Sequence, residues 1–460
     1  MKLHIYGALQ SYKKRVPVRM HMPGHKGSRA FALFGSAAAY DITELPFSDC
    51  LESPSGIIAR AQTDIADILG ARRSHILTDG STCGIYAMLW AVRGRGAKLI
   101  ASRDSHKSVF SACAVLGIEP LLLRGGEKEG ILLPPSAADI ETALQKERDV
   151  CAVLVTSPDY YGNVADLPGI AAACRRHGKP LLVDGAHGAY LRFDPDEADA
   201  YAGKYADLWV DGSHKTMPTL TQGALLNVGA AADDALAAGA AAGLQLFRTT
   251  SPSYLVMASV EYGVKYLEEN GAALIDALKR ELGLAKARLK KRGLPVYEDG
   301  RTLVLAADFA GAGISPAAAC EELEQKNIFP ELCDGRYVLF YLSPLTPPKQ
   351  VAKLEREICA VLRRRALRGT AQPPQPLACG VKKFGYLTAL SMSHEYVPLG
   401  RAAGRVAARN AGITPPCRPV VVAGELITPE AAEALSQAPH TFGLRGGEIA
   451  VVRTGRFIRQ

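Results

Sequence analysis

From about Asp41 to Gly229, short apolar runs alternate with amphipathic helices, and nothing else in the chain constrains its fold as strongly. Lys98-Leu99-Ile100-Ala101, Pro120-Leu121-Leu122-Leu123, Cys151-Ala152-Val153-Leu154-Val155, Pro180-Leu181-Leu182-Val183 and Leu208-Trp209-Val210 read as buried strands. Helices at about Ser81–Val92, Ser105–Leu116, Ala137–Lys146 and Pro168–His177 separate them. An earlier helix places Ile57, Ile58, Ala61, Ile65 and Leu69 on one face and stops at Gly70. Runs this apolar, joined by helices, predict an α/β fold whose mainly parallel sheet is covered on both faces. In such sheets ligands lie beyond the carboxyl ends of the strands, so the residues that follow each run matter most.

The remainder divides by its punctuation. Residues 1–40 read as an arm, with a helix near Tyr6–Lys14 and then a loop containing Pro17, Pro23 and Gly24. Residues 41–265 form the large unit. Residues 266–370 form a smaller α/β unit, led by a long helix over about Ser253–Lys291. It contains strands at Thr302–Ala307 and Tyr337–Leu342 and a helix at Pro348–Arg365. The proline-rich stretch Gly369–Pro376 reads as a linker to a last α+β unit, residues 371–460, with a strand at Pro419–Ala423. The Ala-rich stretch Gly223–Phe247 carries Asp233 and Asp234 and suits no membrane span. The first residues do not form a secretory signal, so the expected address is the cytoplasm. The ten cysteines include no C-x-x-C pair, which argues against a metal site. The net charge of +8 is spread along helices, as expected of solvated faces and not of a nucleic-acid surface.

Four strand-end clusters suggest one chemistry. Gly80-Ser81-Thr82 opens a helix with N–H groups, hydroxyls and a dipole suited to a phosphate. Asp184 follows an apolar strand, where a carboxylate can keep a pyridine nitrogen protonated. Lys215, in Gly212-Ser213-His214-Lys215-Thr216, stands where burial would lower its pKa and fit it for Schiff-base chemistry. His106 could stack on the ring face that Lys215 leaves open. Read alone, these are a helix cap, a turn aspartate, a surface lysine and a capping histidine. Together they suit one planar cofactor, held at its nitrogen and at its aldehyde carbon.

The same residues resemble the Orn/Lys/Arg decarboxylase family of fold-type-I pyridoxal-phosphate enzymes, in its short form. The likeness runs through His21-Met22-Pro23-Gly24-His25-Lys26-Gly27, Asp41-Ile42-Thr43-Glu44-Leu45-Pro46 and His106-Lys107-Ser108. It continues through Thr156-Ser157-Pro158, Asp184 with Ala186-His187-Gly188, His214-Lys215-Thr216, Thr250-Ser251-Pro252 and Gly424-Glu425. It implies an aspartate-aminotransferase-like large domain and pyridoxal 5'-phosphate as cofactor. Lys215 would be the Schiff-base lysine, Asp184 the partner of the pyridine nitrogen, and His187 a contact of the ring hydroxyl. Gly80, Ser81, Thr82, Ser213 and His214 would hold the phosphate. Thr250 or Ser251 would reach the neighbouring subunit's phosphate, which makes a homodimer the minimal active unit.

Four positions depart from the family pattern: Gly185, Gly212, Cys50-Leu51-Glu52, and Cys417 after Pro415-Pro416. The implied reaction is decarboxylation of lysine, arginine or ornithine to a di- or polyamine. Glu44, Asp49 and Glu52 are the candidate partners for a cationic side chain. An aminotransferase or other Cα lyase, with Arg248 on the substrate carboxylate, and a non-catalytic cofactor binder remain as alternatives.

Overall fold

The computed structural model describes residues 1–460 except 27, 299–300, 365–379, 439 and 454–460. The linker expected at Gly369–Pro376 lies outside the described residues. Helix α1 (His4–Lys14) begins two residues before the helix expected from sequence. The cause is Glu261, a fully buried carboxylate that accepts the N–H groups of His4 at 2.5 Å, Ile5 at 3.0 Å and Tyr6 at 3.0 Å. It satisfies donors that the first turn of a helix otherwise leaves unpaired. Helix α2 (Ile57–Leu69) buries the expected stripe and ends at Gly70, whose φ of 69° is the left-handed conformation of a helix terminus.

The large sheet follows. Strand β1 (Arg73–Leu77) leads into α3 (Gly80–Val92), β2 (Lys98–Ser102), α4 (Lys107–Leu116) and β3 (Glu119–Leu123). A short hairpin of β4 (Glu127–Lys128) and β5 (Ile131–Leu132) precedes α5 (Ala137–Lys146), β6 (Val150–Thr156) and α6 (Leu167–Arg176). Then come β7 (Leu181–Gly185), β8 (Leu208–Asp211), the single turn α7 (Ser213–Thr216) and β9 (Ala224–Val228). Seven strands pair in the order β1-β9-β8-β7-β6-β2-β3. Neighbours from β8 to β3 are parallel, and β9 runs antiparallel to both β8 and β1. Along β6, Val153 and Val155 enter one apolar core while Ala152 and Leu154 enter the other. Both faces are therefore covered, and each fully buried Val or Leu contributes about 1.5–3 kcal/mol.

Strand β1 and helix α8 (Asp234–Phe247) were not expected from sequence. The polar start Arg73-Ser74-His75 hides β1, and small alanines dilute the apolar face of α8. Among the described residues, no helix is long and apolar enough to cross a membrane. Helix α9 (Tyr254–Lys291) runs unbroken across the division expected at residue 265. Beyond it, β10 (Val296–Tyr297), β11 (Val304–Asp308), β12 (Leu332–Cys333) and β13 (Tyr337–Tyr341) form an antiparallel sheet. Helices α10 (Pro316–Glu324) and α11 (Pro348–Leu362) accompany it.

The last unit opens with α12 (Tyr386–Ser391) and β14 (His394–Pro398), followed by β15 (Ala411–Ile413) and β16 (Arg418–Val421). It closes with α13 (Pro429–Gln437), β17 (Thr441–Phe442), β18 (Leu444–Arg445) and β19 (Glu448–Val452). Glu119 anchors it to the large sheet, accepting from Lys382 Nζ at 2.8 Å and from the N–H groups of Tyr386 and Leu387.

Candidate active site

Four loops meet at the carboxyl ends of β1, β2, β7 and β8, because these strands run in the same direction. Lys215 lies within the turn after β8 and is half-buried. Its Nζ lies 2.9 Å from His187 Nε2, so the lysine meets an imidazole and not a carboxylate. Burial lowers the Lys215 pKa against the opposing pull of Asp184, Glu331 and Cys417. The first consequence is measurable. Apoprotein should capture added pyridoxal phosphate with a half-maximal pH below that of free lysine, about 10.4. A pH series of borohydride-trapped adduct would check this, and a midpoint at the ordinary lysine value would contradict it.

His187 is half-buried, and desolvation followed by the nearby Lys215 charge drives its pKa well down, leaving a neutral ring at pH 7. Tyr160 and Tyr341 stand edge-on to it, with ring centres at 5.1 and 5.4 Å. Asp184 is buried at the end of β7, where Oδ1 accepts from the Ala186 N–H at 3.2 Å. His106 caps α4, its Nδ1 accepting from the Ser108 N–H at 3.2 Å. Burial lowers the His106 pKa, Asp184 opposes that shift, and Lys215 adds to it. One electrostatic neighbourhood thus joins Lys215, Asp184, His106 and His187. Gly80, with φ of 72°, opens α3 ahead of Ser81 and Thr82. His214 is held by Gly223, whose carbonyl lies 3.0 Å from Nδ1.

The residues present fit pyridoxal phosphate. Ser213 Oγ and Thr216 Oγ1 flank Lys215, are buried and have no hydrogen-bond partner, and neither has His187 Nδ1. Buried polar atoms left unpaired cost about 1–3 kcal/mol each, which a polar ligand can relieve. Two of the four departures also have a physical reason. A Cβ at Gly212 would lie 2.5 Å from the Ala186 carbonyl oxygen, and one at Gly185 would lie 2.9 Å from that of Val210. The ends of β7 and β8 therefore approach too closely for a side chain at either position.

The expected substrate carboxylates stand apart from this cluster. Asp49 is committed to its own loop, accepting the N–H groups of Cys50, Ser55, Gly56 and Ile58 at 2.7–3.0 Å. Burial raises its pKa, but those four donors outweigh burial and hold it below the usual value. In this chain the carboxylate therefore braces the loop from Asp49 to Ile58. Glu44 accepts from the Thr43 hydroxyl at 2.7 Å, and Glu52 lies 3.4 Å from Arg248 Nη2, which ties up the arginine of the aminotransferase alternative. Thr250 and Ser251 are exposed, and among the described residues no hydrogen bond joins them to the Lys215 cluster of the same chain.

The sequence reading missed the residues that close the site from the other units. Glu331, just before β12, accepts a hydrogen bond from Tyr160 and acts electrostatically on Lys215. Tyr341 ends β13, and its hydroxyl donates to the Tyr160 carbonyl. Cys417 has φ of 58° and presents its carbonyl to the Lys107 N–H at 2.9 Å. Tyr341 lies in the strand expected at Tyr337–Leu342 and Cys417 just before the one at Pro419–Ala423, while no expected element includes Glu331.

Comparison with known proteins agrees with this geometry. Residues 4–293 match the family model described as Orn/Lys/Arg decarboxylase, major domain. The chain is 29% identical to the uncharacterized protein YaaO of Bacillus subtilis, over 95% of this chain and 94% of that one. It is 27% identical to an arginine decarboxylase of Bacillus anthracis, over 99% and 97% of the two chains. The lysine decarboxylase LdcF of Francisella novicida shares the fold, with a TM-score of 0.81 and 17% identity, over 98% of this chain and 81% of that one.

Proposed function

The chain belongs to the Orn/Lys/Arg decarboxylase family, whose members are pyridoxal-phosphate-dependent amino-acid decarboxylases, and from that premise we propose that its substrate is a basic amino acid. Lysine, arginine or ornithine would leave as the corresponding amine and CO₂. The observation that carries this reading is the exposed Glu331 carboxylate, which accepts from the Tyr160 hydroxyl and acts electrostatically on Lys215. A cation at the end of the substrate side chain needs such a partner. The relatives named arginine decarboxylase support a basic side chain as well.

When bound, pyridoxal phosphate supplies an electron sink conjugated to the substrate's Cα. Lys215 would carry the cofactor, Ser81, Thr82, Ser213 and His214 would grip its phosphate, and His106 would cover its ring. Asp184 would hold the proton on the pyridine nitrogen. Neutral His187 would face the ring hydroxyl and, through its 2.9 Å contact, steer the Lys215 amine. The buried walls around Lys215 would keep water from the departing carboxylate, which favours its loss as neutral CO₂. Lys215 Nζ would then return a proton to Cα. Thr250 or Ser251, exposed in one chain, would complete the phosphate site of a second subunit.

Purified holoenzyme should release CO₂ and an amine from at least one of the three amino acids, with no keto acid above background. Keto-acid formation, or CO₂ from none of them, would overturn the reading. Glu331→Gln should raise KM for the basic substrate about 10- to 100-fold, the equivalent of one charge-assisted hydrogen bond.

A further inference from the structure

The loop that carries His106 is held from outside the large sheet. Arg103, three residues before His106, is only 6% exposed, and its backbone N–H bonds the Leu123 carbonyl at 2.8 Å. Its side chain leaves the sheet for the C-terminal unit. Nε and Nη2 donate to the two carboxylate oxygens of Glu425 at 3.2 and 2.9 Å, Nη1 to the Pro419 carbonyl at 3.0 Å, and Nη2 to the Val420 carbonyl at 3.1 Å. Glu425, 7% exposed, also accepts from the Val422 N–H at 2.9 Å. On the other side of His106, the Lys107 N–H donates to the Cys417 carbonyl at 2.9 Å. Further along α4, the Tyr386 hydroxyl donates to the Phe110 carbonyl at 3.0 Å.

We propose that the C-terminal unit acts as a positioning element for the cofactor. The buried Arg103–Glu425 fork and the Cys417–Lys107 bond would set the height and tilt of the His106 ring. The assignment rests on the proposed stacking role of His106. A fork with four acceptors is directional in a way that a lone charge pair is not, which suits it to fixing a loop. The surrounding chemistry agrees: the first N–H of α4, normally unpaired, is given to a residue of a distant unit.

Two holoenzyme variants test the proposal. Glu425→Gln removes the charge and keeps the shape. The double variant Arg103→Met with Glu425→Leu removes both charges, so no buried charge is left alone and folding is spared. Two readouts lie outside turnover: the visible circular dichroism of the bound cofactor, which reports ring orientation, and amide exchange of residues 103–109 in the apoprotein. Both variants should at least halve the dichroic band at full cofactor occupancy and speed exchange of residues 103–109, with β7 and β8 unchanged. On the substrate identified by the CO₂ screen, kcat should fall about 10- to 100-fold with KM nearly constant, as a small misplacement of a reacting ring does. A wild-type band in both folded, loaded variants would overturn the proposal. The band needs cofactor but not turnover, so it reads the clamp even if no basic amino acid proves to be a substrate.

Discussion

Lys215→Ala is expected to bind pyridoxal phosphate only noncovalently and to lose decarboxylase activity by at least about four orders of magnitude. The reason is that one amine has two duties. It would carry the cofactor in the resting enzyme and return the proton to Cα, and general acid–base transfer alone contributes about 10²–10⁴-fold. No other described lysine shares this setting, with its Nζ against His187 and its pKa lowered by burial. Single-turnover CO₂ release at saturating cofactor measures the effect. Partial rescue by an added small primary amine is expected, because the pocket vacated beside His187 would admit one. Activity within tenfold of wild type would remove Lys215 from the mechanism.

Asp184→Asn should cost about 10²–10³-fold in kcat, the loss typical of removing one preorganised electrostatic group from a catalytic site, while cofactor binding persists. The substitution preserves shape, and the asparagine side-chain oxygen can still accept from the Ala186 N–H as Asp184 Oδ1 does at 3.2 Å. What disappears is the negative charge that would keep the pyridine nitrogen protonated. That charge also opposes the burial of both Lys215 and His106, raising each pKa. Without it the His106 ring should become still harder to protonate, and the Lys215 amine still easier to deprotonate. Steady-state kinetics with the cofactor content of each preparation checks the loss. A kcat unchanged from wild type would mean that the carboxylate serves only the β7 turn.

The large sheet was legible in the sequence because its strands are buried on both faces. A run such as Cys151–Val155 can hardly be anything else, and the residues after each run fell where a parallel sheet puts its ligands. Lys215, Asp184 and His106 were found in this way and His187 through the family resemblance, and the structure brings the four together. What the sequence hid is what depends on contacts between distant units. Glu331 and Tyr341 belong to a sheet that begins after residue 291, and nothing local marks them as neighbours of Tyr160 and His187. Nothing in the sequence pairs Arg103 with Glu425, and only the fold brings these two buried residues together. Asp49 is the opposite case, a residue whose local bonds the sequence did not show. It looked available for a substrate cation, but a loop with φ of 66° folds four N–H groups onto its carboxylate. Gly185 and Gly212 looked like losses, whereas the close approach of the ends of β7 and β8 leaves no space for a side chain.

The central claim is that one lysine, within the turn after β8, carries the cofactor. Borohydride reduction of the holoenzyme, followed by peptide mass mapping, tests it most directly. The pyridoxyl phosphate mass is expected on Lys215, at about one per chain, and is expected to be abolished in Lys215→Ala. The label on another lysine, or no label on a chromophoric protein, would contradict it.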